Sequence, residues 1–210
     1  FVRTIDHVTT TEDSSRSVLS HATLAAAVAD TTLNPLGGEA IDLKENVSGS
    51  GGGGRWYTDL STNVTENTFD KVQCVGVPTL SLVLRIDDAG LNLAQIGATI
   101  GGDWSAVWNH ALSLDTVSVI KLPRDSTATL SATVSITKAV IITGAGADAS
   151  WNGTSSNSGK AGPSTTAMTC TGSNIYGIEM IGNGAEGTSN MHLSNFSLIG
   201  NANMNDGIFL

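Results

Sequence analysis

The chain has 210 residues, with 19 Asp and Glu against 10 Lys and Arg, a formal net charge of −9 and only 14% charged residues, where ordinary soluble proteins carry roughly 25%. Such an acidic balance excludes a nucleic-acid partner, whose phosphates need a basic surface. No apolar run approaches the ~20 residues needed for membrane insertion. Its 24 glycines and abundant Ser, Thr and Asn favour short strands joined by polar turns over helices.

Residues 1–19 are polar and read as an extended arm. Ser20 is expected to cap a short helix over Ala22–Ala29, which Asn34-Pro35 and Gly37-Gly38 bring to an end. Four strands follow within 39–86: Ala40–Leu43, Arg55–Leu60, Lys71–Val75 and Leu80–Ile86. Their Gly and Pro turns predict a small antiparallel sheet. Residues 87–130 change character. Trp104, Val107, Trp108, Ala111 and Leu112 fall on one helical face, and Asp103 stands before them as an expected N-cap. Val117–Leu122 then reads as a strand stopped by Pro123.

From 131 onward short strands recur: Ala132–Ile136, Val140–Thr143, Thr166–Cys170, Ile175–Ile181, Met191–Ser194, Phe196–Ile199 and Ile208–Leu210. The segment Ile178–Ala185 is echoed by Phe196–Asn203, with an earlier copy at Val140–Ala147. That spacing predicts a coil of stacked strands whose step is eighteen residues. Alternation places Val140, Ile142, Ile178, Met180, Met191, Leu193, Phe196, Leu198, Ile208 and Leu210 inside. Asn183 and Asn201 take equivalent turn positions and are expected to form a ladder along the stack. The polar stretch Asp148–Pro163 reads as a surface insert. A stacked coil exposes an apolar interior and strand edges at its end, and the helix at 104–112 is a natural plug for them. Because Asp206–Leu210 opens one more rung, the chain is expected to be the N-terminal part of a longer protein.

The order Ile96-Gly-Ala98, Gly102-Asp103, helix, Leu122-Pro123 and Val140–Gly146 resembles the entry into the right-handed parallel β-helix of the pectate-lyase-like superfamily, which phage tailspikes share. Two positions depart from that pattern: Trp104–Val107 replaces a run of aspartates, and Arg124 follows Pro123 where glycine is usual. Residues 20–86, with Thr23–Asp30, Ala40–Leu43 and Ser50–Tyr57, are similar to a small domain near the N-terminus of tailspikes and tail fibres. The resemblance implies a mainly β fold: an arm at 1–19, a small α+β docking domain at 20–86, a connector with the capping helix at 87–130, and the first rungs of the β-helix at 131–210. It further implies a homotrimer on the virion tail, bound to other tail proteins through residues 1–86, whose distal part binds or cleaves bacterial surface polysaccharide. The alternative is a polysaccharide-degrading β-helix enzyme, a lyase or glycoside hydrolase; a secreted adhesin is the third reading.

The chemistry-bearing residues are sparse. Polysaccharide hydrolysis calls for two carboxylates flanking a groove, and the coil offers Asp148, Glu179, Glu186 and Asp206. Glu179, flanked by inward Ile178 and Met180, projects outward and stands as the single catalytic candidate, with no partner that can be placed. Gly49-x-Gly51-x-x-Gly54 matches a dinucleotide fingerprint literally but precedes a strand, and reads as a turn or flexible loop. His7, His21, His110 and His192 show no metal spacing and read as surface residues. Cys74 and Cys170 read as buried thiols. Trp151, in the insert, is a candidate for stacking on a sugar. Four sequons, at Asn46, Asn63, Asn152 and Asn195, match by chance composition. No cofactor or metal is called for.

Overall fold

A computed structural model describes residues 18–146, 166–181, 191–200 and 205–209. Its first part is a five-stranded sheet of β1 (Leu19–His21), β2 (Ala40–Glu45), β3 (Gly52–Leu60), β4 (Lys71–Gln73) and β5 (Leu80–Leu84), in the order β1-β2-β3-β5-β4. β1 and β2 are parallel, bridged by α1 (Leu24–Val28); the other pairs are antiparallel. The alternation expected of a half-buried sheet is present. Ile41 and Leu43, Trp56, and Leu80, Leu82 and Leu84 all point into one core. Each such aliphatic side chain contributes roughly 2 kcal/mol by leaving water.

Two sequence expectations are corrected in this region. Ser20 does not cap α1; it lies inside β1, and Thr23 is the N-cap, its hydroxyl accepting from Ala26 N at 3.3 Å. The strand pairing with β2 outcompetes the earlier cap. Nor is the whole glycine run a turn or flexible loop. Residues 48–49 form a turn, but β3 starts at Gly52, with Gly52 and Gly53 pressed against neighbouring backbone and Gly54 against the Gln95 side chain.

The second part winds through three parallel sheets. β6 (Leu91–Asn92), a short 3-10 helix at Leu93–Ile96 and α2 (Ser105–Ser113) lead into nine strands. These are β7 (Val119–Lys121), β8 (Asp125–Leu130), β9 (Val134–Ile136), β10 (Ile141–Thr143), β11 (Thr166–Cys170), β12 (Tyr176–Met180), β13 (His192–Ser194), β14 (Ser197–Ile199) and β15 (Asp206–Phe209). The sheets have the orders β13-β10-β7-β6, β14-β11-β8 and β15-β12-β9, with every pairing parallel. The chain thus visits the same three sheets in the same order three times.

This register overturns the eighteen-residue step. Ile178 aligns with Val134 and Ile208, whereas Leu198 aligns with Met168 in a different sheet. The echo between Ile178–Ala185 and Phe196–Asn203 therefore relates two different sides of the coil, not two stacked rungs. Asn183 and Asn201 lie outside the described residues, and the strands before them, β12 and β14, belong to different sheets. β8 was absent from the sequence expectations: its Asp-Ser-Thr start reads as a turn, and only Ala128 and Leu130 mark its inward face. β1 and β6 were also absent, being too short to show a period.

Val140, Ile142 and Ile178 are fully inside; Met180, Phe196 and Leu198 are half-buried against the same core. Ile208, expected inside, is 48% exposed. Cys74 and Cys170 are both buried thiols; burial, with the Glu66 charge second, pushes Cys74 up to about 11. Buried residues of both parts belong to one hydrophobic cluster.

Gly51 and Gly52 have the same left-handed backbone, φ +70° and +72°, but a Cβ at Gly52 would sit 2.2 Å from the Ala94 carbonyl, while at Gly51 it meets nothing within 4 Å. Gly52→Ala is expected to lose ~3 kcal/mol, strain plus overlap, and Gly51→Ala only ~1 kcal/mol, as read from denaturant midpoints.

Candidate functional site

The strands β6, β8 and β9 form the first edge of the three parallel sheets, and that edge is where the sequence's helical plug sits. An open edge carries a row of unpaired N–H and C=O groups, and each sheet answers this differently. In the first sheet, β6 supplies a short strand beside β7. In the second, the backbone just before α2 acts as a strand: Thr129 N donates to Gly102 O at 2.9 Å, Trp104 N donates to Thr129 O at 3.0 Å, and Asp103 bridges Thr129 in parallel sense. In the third, a side chain stands in for a strand. Asn109 Nδ2 donates to Thr133 O at 2.9 Å, and Ser135 N donates to Asn109 Oδ1 at 3.1 Å, so one carboxamide offers β9 a donor and an acceptor.

The corner between the second and third sheets is tied by Asp103 and Ser105. Ser105 Oγ accepts from Ser131 N at 2.9 Å and Ala132 N at 3.1 Å. Asp103 Oδ1 accepts from Ser105 N at 2.9 Å and Ser105 Oγ at 2.7 Å, and its other oxygen accepts from the Ser131 hydroxyl. Asp103 therefore differs from the expected N-cap. Trp104 occupies the cap position in helical conformation, and Asp103 clamps the helix start to the coil from one residue further back. Burial pushes the Asp103 carboxyl up, but the hydrogen bonds from Ser131 and Ser105 outweigh it and hold the group below its ordinary 3.8.

Trp104, Val107, Trp108, Ala111 and Leu112 are buried. Trp104 Nε1 donates to Thr99 O at 2.9 Å. Trp108 reaches into the coil, where its ring meets Phe196, in the third turn, edge-on at 6.1 Å. The outer side of α2 grips the five-stranded sheet. His110 Nε2 lies 2.7 Å from Asp70 Oδ1, and its ring stacks on Phe69 at 4.4 Å. His110 was read as a surface residue; its side chain is 16% exposed, because the loop before β4 packs over it. His21 is partnered too, 3.1 Å from Asp30. His192 is exposed, and His7 lies outside the described residues. The sequon Asn46 is buried, donating to Gln95 O at 2.6 Å.

Glu179 is half-buried and accepts from Ser135 Oγ at 3.3 Å. Its register neighbours are Ser135 and Phe209, neither of them a carboxylate. Asp148, Glu186 and Trp151 lie outside the described residues; Asp206 starts β15. Among the described residues no group of three His, Cys, Asp or Glu side chains converges as a metal site. No described helix is long and apolar enough to cross a membrane.

No family model and no curated protein matches this chain. Solved structures do. Tailspike protein 4 of bacteriophage CBA120, described as its enzymatically active domain, superimposes with a TM-score of 0.59 at 12% identity, over 91% of this chain and 25% of that one. The chain has a tailspike-like fold. The tailspike of Acinetobacter phage vB_ApiP_P1 gives 0.57 at 16% identity, over 89% of this chain and 31% of that one. A tailspike of Acinetobacter baumannii bacteriophage Fri1, described as a capsular polysaccharide depolymerase, gives 0.50 at 16% identity, over 91% and 38%. The chain spans between a quarter and two fifths of the length of these tailspikes.

Two outcomes follow from the clamp. Asn109→Ala leaves Thr133 O and Ser135 N without these partners and is expected to lower unfolding free energy by about 2 kcal/mol, measured by chemical denaturation. Asp103, with its folded pKa lowered, stabilises the fold above its ordinary 3.8 and loses that contribution as pH falls through the folded value. Asp103→Asn should thus lower stability at pH 7 and flatten the acid limb of a stability-against-pH curve below about pH 4.

Proposed function

We propose that this chain is the head end of a phage tailspike or tail fibre, in which the three-sheet coil is the start of a right-handed parallel β-helix. The observation that carries this reading is the edge closure. A coil sealed at one end by a dedicated helix, a carboxamide and a short strand is built to grow in the other direction only. The tailspike-like fold of the solved structures supports it. In this reading the protein is a homotrimer on the virion tail, residues 1–86 contact other tail proteins, and a distal region engages bacterial surface polysaccharide.

A second reading, a polysaccharide-degrading β-helix enzyme, is favoured by two comparisons. The two tailspikes that each align with 91% of this chain are described as an enzymatically active domain and as a capsular polysaccharide depolymerase. The five-stranded sheet, which shares its core with the coil, would then travel with a catalytic body, and Glu179 is the carboxylate to test within these residues.

Light scattering on the chain is expected to give three times the monomer mass, and a well-behaved monomer counts against the tailspike reading. Incubation with bacterial capsule or lipopolysaccharide, followed by assay of reducing ends and unsaturated products, supports the second reading if products form. If cleavage is found and Glu179 is the catalytic acid or base, Glu179→Gln should lower the rate by about 100-fold or more.

A further inference from the structure

We propose that a cleft at the first corner of the coil binds the carboxylate of an acidic, monosaccharide-sized ligand through Lys121 and Arg124. The cleft, of about 310 Å³, is lined by Asn92, Lys121, Arg124 and Thr143 together with the turn residues that follow β7 and β10. That volume is at the lower end for a small-molecule site and suits a single sugar ring.

Its walls are held by hydrogen bonds to a buried side chain. Thr166, fully buried, donates its hydroxyl to Pro123 O at 2.9 Å and accepts from Ala145 N at 2.9 Å, so one side chain locks both corner turns. Leu122 N also donates to Thr143 O at 2.9 Å. The backbone of the cleft is thus preformed, which lowers the ordering cost of binding to that of the Lys121 and Arg124 side chains.

Its charge is out of keeping with the rest of the chain. Acidic groups outnumber Lys and Arg by 19 to 10, and Arg55 is paired with Asp42 at 2.8 Å. Among the described residues neither Lys121 nor Arg124 has a carboxylate partner. Two un-neutralised cations facing one cleft repel each other and attract an anion. The parallel register places Asn92 and Thr143 on either side of Lys121, and Ser194 beyond Thr143. This ladder offers an ammonium flanked by amide and hydroxyl groups and no carboxylate. A guanidinium fork and an ammonium suit a carboxylate; the neutral ladder suits ring hydroxyls. Inorganic phosphate would use the cations alone, and a long polyanion would be repelled by the net charge of −9.

The choice of an acidic sugar rests on the tailspike reading; the anion site itself rests on the cleft. Glucuronate, glucose and inorganic phosphate are titrated separately into the full chain at low ionic strength, followed by amide chemical shifts. Glucuronate should perturb residues around Lys121 and Thr143 and bind about tenfold tighter than glucose or phosphate. Arg124→Gln, at an exposed position, should weaken it about tenfold, and Lys121→Gln with Arg124→Gln should abolish it, with unchanged melting temperature showing that both variants fold. No glucuronate binding, equal binding of glucose, or binding that survives the double substitution overturns the site. Phosphate binding as tight as glucuronate overturns the sugar assignment. Light scattering tests the tailspike reading independently of every one of these results.

Discussion

Parallel strands stacked in a coil leave backbone N–H and C=O groups facing outward at each end; burying them unpaired is costly, and exposing them invites pairing with another chain. The closed end of this chain is organised around that requirement. β6 pairs as a strand, Gly102–Trp104 pairs as a strand without belonging to one, and Asn109 pairs as a side chain. All three solutions come from one stretch of sequence, 91–109, because α2 must lie across the coil mouth to bury Trp104 and Trp108. Once the two indoles are inside, the helix axis is set, and Ser105 and Asn109 fall against the strand edges they satisfy.

The same helix couples the coil to the five-stranded sheet. Its inner face meets the coil, with Trp108 reaching Phe196; its outer face holds His110 against Asp70 and Phe69. A second seam runs along the 3-10 helix. Asn46 donates to Gln95 O, Gln95 donates to Gly53 O at 3.2 Å, and Gly52 allows Ala94 to approach. Side chains on β3 would hold these two elements apart. Gly52–Gly54 therefore have a packing role, and the match of the run to a phosphate-binding fingerprint is incidental.

The coupling has a mechanical consequence: a single core shared by the sheet and the coil resists relative movement better than a jointed linker. On the coil surface the corner turns create recesses wherever a strand leaves one sheet for the next. The recess near Lys121 has walls tied by a buried threonine, and its cations have no carboxylate partner among the described residues. The Glu179 region differs. Its carboxylate already accepts from Ser135, and its neighbours in register carry no second acid.

Much of the local structure was legible in the amino-acid order. The period of Trp104, Val107, Trp108, Ala111 and Leu112 specified a helix with one buried face, and the alternation around Ile142 and Ile178 specified which residues point inward, because burial of apolar side chains follows directly from helix and strand periods. The lengths of the coil's turns were not legible. Parallel pairing joins residues far apart in sequence, and inserts at the corners change the spacing without disturbing the register, so the echo at 178 and 196 pointed to stacking that does not exist. His110 and Asn109 were equally silent: a polar residue on a helix carries no mark of the partner that a distant loop or strand edge will bring to it. Sequence by itself determined the elements and their buried faces, which are set by local periodicity; tertiary structure alone decided which strands stack, how the open edge is sealed and where charge is left unpaired, because those depend on contacts across the chain that no local pattern encodes.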